Sequence, residues 1–284
     1  MKIAISAEST IDLPKELLEK YDIKTIPFIV LLGEKEGYDG DITPKEIFDY
    51  VDQTAVLPKT SAINDYNFEE YFKNLLNEYD AVVHVSLSSA ISSTYQHANI
   101  AAGKLRNVFV VDSKSLSTGI ALLCIYGREL VEQGLAANEI AKQLRARTKA
   151  VQASFVVNTI DYLFKGGRCS SLQRFGANLL RLKPQILVNS DGKMSSGKKY
   201  RGKNRDVIDQ YCMDTLAKFN NPDKSIVFVT HSLASQDMVD CAVEILQRQG
   251  FKTIYTTVAG ATISSHCGPK TLGILYFNDG GKIK

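Results

Sequence analysis

The sequence lacks several features that would assign it at once to a class of protein. Its cysteines are odd in number and unclustered: Cys124, Cys169, Cys212, Cys241 and Cys267. Because no two are spaced as Cys-x-x-Cys, neither a disulfide framework nor a zinc site is indicated. No stretch approaches the roughly 20 consecutive apolar residues of a membrane-spanning helix. The net charge of +3 is too small and too dispersed to indicate nucleic-acid binding.

Targeting and catalytic motifs are also missing. The chain opens as Met1-Lys2-Ile3-Ala4-Ile5, without the long apolar core of a signal peptide, so we expect a cytoplasmic protein. There is no G-x-x-x-x-G-K-[ST] phosphate loop, no G-x-G-x-x-G, no H-E-x-x-H and no G-x-S-x-G. For 284 residues, their joint absence argues against an autonomous enzyme.

What the chain does have is a repeated local pattern. Three times in the first 120 residues, an apolar run leads into a turn rich in hydroxyl side chains and then into a helical segment: Ile3–Ile5 before Ser6–Thr10, Ala81–Val85 before Ser86–Thr94, and Val108–Val111 before Asp112–Thr118. A fourth cluster, Thr60-Ser61, lies between two helical segments. The carboxyl ends of parallel strands converge on one crevice, where ligands bind. We therefore expect a crevice lined by hydroxyls and helix-start N–H groups, suited to a small anionic head group.

Strand-like and helical runs alternate along nearly the whole chain, which predicts βαβ units and a largely parallel sheet. One of the expected strands covers Ile26–Leu32, and Thr43-Pro44-Lys45-Glu46 is a predicted helix start. After Lys149 the hydroxyl-rich turns give way to Lys165-Gly166-Gly167-Arg168 and a basic stretch over Lys193–Arg205. We therefore predict two domains, residues 1–150 and 151–284.

Each candidate site has a plainer explanation beside the functional one. The hydroxyls of Ser88–Thr94 can cap a helix, although one residue would suffice for that. His266, between two serines and a Gly-Pro turn, is either structural or an imidazole held in a cavity. Cys267 could be a nucleophile, but no base is identifiable from the sequence, and we interpret it as structural. The Gly166-Gly167 turn and the basic stretch are either ordinary surface or contacts for a phosphate or acidic partner.

The ordered set of these motifs resembles the DegV family, fatty-acid-binding proteins that include the FakB subunits of bacterial fatty acid kinase. The resemblance runs the whole length. The motifs that carry it are Ser9-Thr10-Ile11-Asp12-Leu13-Pro14 (similar to D-S-x-x-D-L-P), Thr60-Ser61, Ser88–Gln96 (S-S-x-L-S-G-T-Y-Q), Asp112-Ser113 with Ser117-Thr118-Gly119, Tyr162–Arg168 (Y-L-x-K-G-G-R), Leu182-Lys183-Pro184 with Asp191-Gly192, and His266–Gly273 (H-x-G-P-G-T-L-G).

The resemblance implies an N-terminal Rossmann-like parallel sheet and a C-terminal mixed sheet, with a long-chain fatty acid buried in the interior. Thr60 and Ser92 would hold its carboxylate, with Ser61, Ser93 and His266 nearby. From the basic residues themselves, we hypothesise that Arg168, Lys199 and Arg201 contact an acidic partner or a phosphate. The implied partner is a separate kinase that forms an acyl-phosphate. For this chain itself we expect a transient membrane contact and neither a metal nor a cofactor.

The sequence departs from the family pattern at several positions. Glu8 replaces the opening Asp, Ala62-Ile63 replaces Gln-Pro, and Ser93 and Lys270 replace glycines.

The alternative function is an enzyme related to the substrate domain of dihydroxyacetone kinases, with His266 or Cys267 as the catalytic residue. The leading prediction is a lipid-binding carrier that is not itself an enzyme.

Overall fold

The computed structural model describes residues 1–169 and 182–281, so part of the predicted second domain, residues 170–181 and 282–284, lies outside the described residues. The strands are β1 (Ile3–Glu8), β2 (Ile23–Ile26), β3 (Ile29–Leu32), β4 (Lys35–Tyr38), β5 (Lys59–Ser61), β6 (Ala81–Ser86), β7 (Val108–Asp112), β8 (Val151–Val156), β9 (Lys183–Val188), β10 (Met194–Tyr200), β11 (Ile226–Ser232), β12 (Thr253–Val258) and β13 (Thr271–Phe277). The helices are α1 (Lys15–Lys20), α2 (Pro44–Thr54), α3 (Asp65–Leu76), α4 (Thr94–Ala102), α5 (Thr118–Glu132), α6 (Ala137–Arg147), α7 (Asp161–Lys165), α8 (Asn204–Lys218), α9 (Gln236–Arg248) and α10 (Ala261–Cys267).

The N-terminal half is built on a parallel sheet in the order β2-β1-β6-β7. Every residue of β1 and β6 is buried, as is typical of parallel strands covered on both faces. The hydroxyl-rich turns that follow β1, β6 and β7 therefore leave the sheet at the same edge. This sheet confirms the predicted parallel α/β architecture.

The C-terminal half contains a six-stranded sheet in the order β10-β9-β8-β13-β11-β12. Only the pair β11 and β12 is parallel, and the other neighbours are antiparallel. The predicted mixed sheet is thus confirmed. One apolar cluster contains Val83 and Leu123 as well as Phe155 and Phe228, so the two sheets share a continuous core. A domain boundary at residue 150 stays a prediction.

A small antiparallel sheet, in the order β4-β3-β5, differs from the expectation of one strand over Ile26–Leu32. That segment is interrupted at Pro27 and Phe28, because proline has no N–H for a sheet ladder. The Phe28 N–H instead donates to the Ser9 hydroxyl over 3.1 Å. The chain therefore leaves the parallel sheet after β2 and begins a new sheet at β3.

The basic stretch over Lys193–Arg205 also proved more structured than expected, since Met194–Tyr200 forms the edge strand β10. Met194 and Tyr200 are buried, whereas Lys198 and Lys199 are exposed. Lysine is a common residue on edge strands because it discourages pairing with another chain. The basic character of this stretch therefore has a structural explanation in addition to any functional one.

Local signals placed α2 correctly but did not reveal α10. Thr43 and Glu46 form the capping box expected at the start of α2, with Pro44 as the first helical residue. The sequence of α10, Ala-Thr-Ile-Ser-Ser-His-Cys, has no such signal at its start.

None of the described helices is long and apolar enough to cross a membrane. Within the described ranges, no group of three or more His, Cys, Asp or Glu side chains could hold a metal ion.

Candidate functional site

A cavity of about 230 Å³ lies between the carboxyl edge of the parallel sheet and one face of the six-stranded sheet. Leu87 and Leu116, from the turns after β6 and β7, form one wall. Phe155 of β8 and Leu275 of β13 form the opposite wall, because alternate residues of a strand face the same side. The lining is mainly apolar, and both halves also contribute polar side chains to it.

Helix α10 forms a further side of the cavity and is held in place by two carboxylates from the N-terminal half. The Gly260 N–H donates to Asp12 over 2.7 Å, and the Ala261 N–H donates to Asp39 over 2.7 Å. These bonds satisfy N–H groups that a helix start leaves without partners. Burial raises the pKa of Asp12 well above its usual range, and the nearby Asp39 raises it further, although bonds from Ser117 and Gly260 oppose the shift.

Thr60 and His266, which are distant in sequence, meet in the wall of the cavity. The Thr60 Oγ1 and His266 Nε2 atoms are 2.8 Å apart, and both side chains line the cavity. Thr60 lies in β5 and pairs with Val30 of β3. Because successive side chains of a strand point to opposite faces, the next residue, Ser61, faces the other side of β5. Ser61 is exposed, its hydroxyl donates to the Ala62 carbonyl over 3.4 Å, and it is absent from the described residues that line the cavity.

The imidazole of His266 is neutral at physiological pH. Burial lowers its pKa to about 4, and the positive charge of Arg168 contributes to the same shift. A neutral imidazole has one donor and one acceptor nitrogen. If Nε2 carries the proton, it donates to Thr60 Oγ1 and leaves the Thr60 O–H free to donate elsewhere. The other nitrogen, Nδ1, is buried with no partner among the described residues.

Ser92 and Ser93 reach the same cavity from the loop before α4. Ser92 is half-buried, and its Oγ accepts from the Thr94 N–H over 3.2 Å. Ser93 is exposed and is the N-cap residue of α4. The loop is anchored by Ser88, whose hydroxyl donates to the Gly192 carbonyl over 3.0 Å. The residue that caps α4, Ser93, makes no side-chain capping bond, so helix capping does not account for the hydroxyls that line the cavity.

Glu8, which stands where the related pattern has Asp, fixes the start of this loop. Its carboxylate accepts from the Ser86 hydroxyl over 2.6 Å and from the Leu87 N–H over 2.9 Å. His84 lies 3.2 Å from the same carboxylate and 2.9 Å from the Ser6 hydroxyl. All four side chains of this network, those of Ser6, Glu8, His84 and Ser86, are fully buried. The network therefore fixes the carboxyl end of β6 and the first residue of the loop that follows it, Leu87.

The three predicted basic contacts differ in their position relative to the cavity. Arg168 is exposed at the rim of the cavity, and its Nη1 donates to the Gly166 carbonyl over 2.5 Å. Lys199 and Arg201, on and just after β10, are exposed and are absent from the described residues that line the cavity. The structure thus brings together Thr60, Ser92, Ser93, His266 and Arg168, and leaves Ser61, Lys199 and Arg201 outside.

Cys267 lines the cavity beside His266, but its thiol is not activated. Burial raises its pKa to about 12, so the thiol stays protonated at neutral pH. A nucleophilic cysteine needs the opposite shift of its pKa, toward the thiolate.

Sequence reasoning missed the role of Asp12 and Asp39 in holding α10. The Asp-Leu-Pro motif singled out Asp12, whereas nothing in the local sequence marked Asp39.

Comparison with known proteins assigns this chain and its fold to a family. A family model described as "Uncharacterised protein, DegV family" matches residues 2–279, so the chain belongs to the DegV family. A protein of Thermotoga maritima named "Fatty acid-binding protein" is 31% identical over 284 residues, with 96% of each chain covered.

Solved structures of the family have the same architecture. A DegV family protein from Thermus thermophilus, described by its fatty acid binding, superimposes with a TM-score of 0.90 at 27% identity, covering 98% of this chain and 99% of that one. A stearic acid-binding protein from Eubacterium ventriosum has a TM-score of 0.84 at 25% identity, covering 97% and 98%. The predicted family is therefore confirmed, and its named relatives are fatty-acid-binding proteins.

Proposed function

We propose that this protein binds a long-chain fatty acid in the cavity, with the carboxylate at the end formed by Thr60, Ser92 and His266. The observation that carries the proposal is the Thr60–His266 contact in the wall of a mainly apolar cavity. The names of the relatives support the same ligand class. Ser93 lies beside this head-group site, and Ser61, on the other face of β5, has at most an indirect role.

The two ends of the ligand make different contributions to binding. Burying about fourteen methylenes provides on the order of 11 kcal/mol, at roughly 0.8 kcal/mol each. A hydrogen bond to a charged carboxylate contributes about 1.5–3 kcal/mol. The acyl tail therefore supplies most of the affinity. With His266 Nε2–H donating to Thr60, the hydroxyls of Thr60 and Ser92 donate to the carboxylate and select an acid over a neutral head group.

Native mass spectrometry of the purified protein tests the ligand class directly. We expect a retained mass equal to a long-chain fatty acid, which organic extraction removes. Ile263→Trp, which enlarges a side chain in the cavity wall, is expected to abolish retention. Val258→Trp, on the exposed face of β12, is the matched control and is expected to retain the lipid. No bound lipid in the wild type, or equal retention in Ile263→Trp, would contradict the proposal.

The same preparation separates a carrier from an enzyme. We expect no turnover when the isolated chain is incubated with acyl esters, thioesters, or dihydroxyacetone and ATP. The protonated state of the Cys267 thiol supports this expectation. Multiple turnovers that disappear in His266→Ala would favour the alternative related to dihydroxyacetone kinases.

We further propose that the bound acid is presented to a separate cytoplasmic kinase, which forms the acyl-phosphate. Arg168, at the cavity rim, would contact the partner or the new phosphate, with Lys199 and Arg201 extending the positive surface. Attraction between exposed charges weakens as salt shortens the Debye length. Phosphorylation by such a kinase is therefore expected to fall as ionic strength rises.

Charge reversal tests this surface. Arg201→Glu is expected to lower kinase-dependent phosphorylation several-fold without changing lipid retention. Lys252→Glu, an exposed cation before β12 and at the other end of the sheet, is the control and is expected to leave phosphorylation unchanged. A wild-type rate for Arg201→Glu, together with insensitivity to salt, would show that the basic stretch is ordinary solvated surface.

A further inference from the structure

Helix α10 presents one continuous face to the cavity. Thr262, Ile263, His266 and Cys267 all line it, with the spacing of side chains that share a helix face. The face has two columns, an apolar one of Ile263 and Cys267 and a polar one of Thr262 and His266. Since residues four apart lie one turn apart, Thr262 is about 6 Å along the helix from His266.

Thr262 lines this cavity and carries a buried hydroxyl that is unsatisfied in the described part of the chain. The residue is 3% exposed, and its Oγ1 has no hydrogen-bond partner among the described residues. The other hydroxyls of α10 bond to backbone carbonyls, Ser264 to Ala259 over 3.1 Å and Ser265 to Ala261 over 2.7 Å. A buried hydroxyl without a partner is unfavourable, because it has lost its bonds to water. Thr262 is therefore a polar group for which the bound ligand is the available partner.

We propose that Thr262 is a subsite for a hydroxyl group on the acyl chain, so that the ligands include fatty acids hydroxylated in the part nearest the carboxyl end. This inference rests on the proposed fatty-acid function. With the carboxylate beside His266, a chain that follows α10 would reach Thr262 about one helical turn away, which is several bonds from the carboxylate. A substituent hydroxyl there would donate to or accept from Thr262 Oγ1.

A ligand hydroxyl fits this position better than an ordered water does. A buried water makes two to four hydrogen bonds. On α10 the hydroxyls of Ser264 and Ser265 are already committed to backbone carbonyls, so a water at Thr262 would find only one further open polar atom on this helix within the described residues, the Nδ1 of His266 about one turn away. A single hydroxyl carried on a chain needs only one partner, because the chain itself holds it in place.

The test compares dissociation constants of delipidated protein for stearate and for hydroxystearates, measured by calorimetry. The hydroxyl lies near the carboxyl end in one isomer and near the methyl end in another. We expect the wild type to favour the first isomer over stearate. Thr262→Val removes the hydroxyl at nearly constant shape and is expected to reduce that preference about tenfold, which corresponds to one buried hydrogen bond. Thr262→Ser should keep it.

Thr10→Val is the matched control, because Thr10 is also a buried threonine whose hydroxyl has no partner in the described part of the chain, and it does not line the cavity there. It is expected to leave the preference unchanged. Stearate binding without any preference for the first isomer, or with the same preference in Thr262→Val, would overturn the subsite alone. If neither stearate nor the hydroxystearates bind the wild type, the proposed function fails as well.

Discussion

Thr60→Val is expected to weaken the binding of a long-chain fatty acid about ten- to hundredfold and the binding of the matching alcohol only about fivefold or less. Valine keeps the shape of threonine but cannot donate to the carboxylate or accept from His266, which is 2.8 Å away. The lost bond is to a charged oxygen, and such bonds contribute about 1.5–3 kcal/mol, whereas a bond to a neutral hydroxyl contributes about 1 kcal/mol or less. Competitive displacement of a fluorescent fatty acid measures both dissociation constants.

Ser61→Ala is the control for this experiment, since Ser61 is adjacent in sequence but faces the other side of β5. It is expected to leave the affinity for the acid unchanged. Ser92→Ala should reproduce the effect of Thr60→Val, with a loss for the acid that exceeds the loss for the alcohol. Equal losses for acid and alcohol in both variants would remove these residues from the head-group role.

The wild-type protein is expected to lose stability on acidification in a way that His266→Gln does not. In the folded state the pKa of His266 is lowered from 6.5 to about 4. Between these values the unfolded chain binds a proton that the folded protein excludes, so the free energy of unfolding falls as the pH falls. The stabilisation is fully present above about pH 6.5 and is lost progressively toward pH 4, to a total of about 3 kcal/mol.

Urea unfolding of the lipid-free protein at about pH 7 and pH 5 measures this difference. Over that interval the wild type should lose about 2 kcal/mol more than His266→Gln, in which glutamine can still bond to Thr60 but does not titrate. Arg168→Gln, which removes the second cause of the shift, should reduce the wild-type loss without abolishing it. An identical loss in the wild type and His266→Gln would mean that the imidazole is not kept neutral by burial.

Local patterns in the sequence were sufficient for the elements that depend on their own residues. The apolar runs of β1 and β6 predicted buried parallel strands, because a strand covered on both faces must be apolar at nearly every position. The Thr43-Pro44-Lys45-Glu46 start of α2 was readable because a capping box is made within four residues. The hydroxyl-rich loop of Ser92 and Ser93 was also found, and the ordered motifs predicted the family.

The arrangement of the site was decided by tertiary structure. Thr60 and His266 are 206 positions apart, and they meet because β5 pairs with β3 and because α10 is held by Asp12 and Asp39. Pairings of this kind leave no periodic signal in either segment, since each partner satisfies only its own local geometry. The neutral state of His266 and the inert thiol of Cys267 follow from burial, as does the lack of a partner for the Thr262 hydroxyl among the described residues, and no local sequence pattern specifies burial. The sequence by itself determined the strands and helices with clear local signals and the residues available for binding; the packing of the two halves decided which of those residues face the cavity and in what charge state.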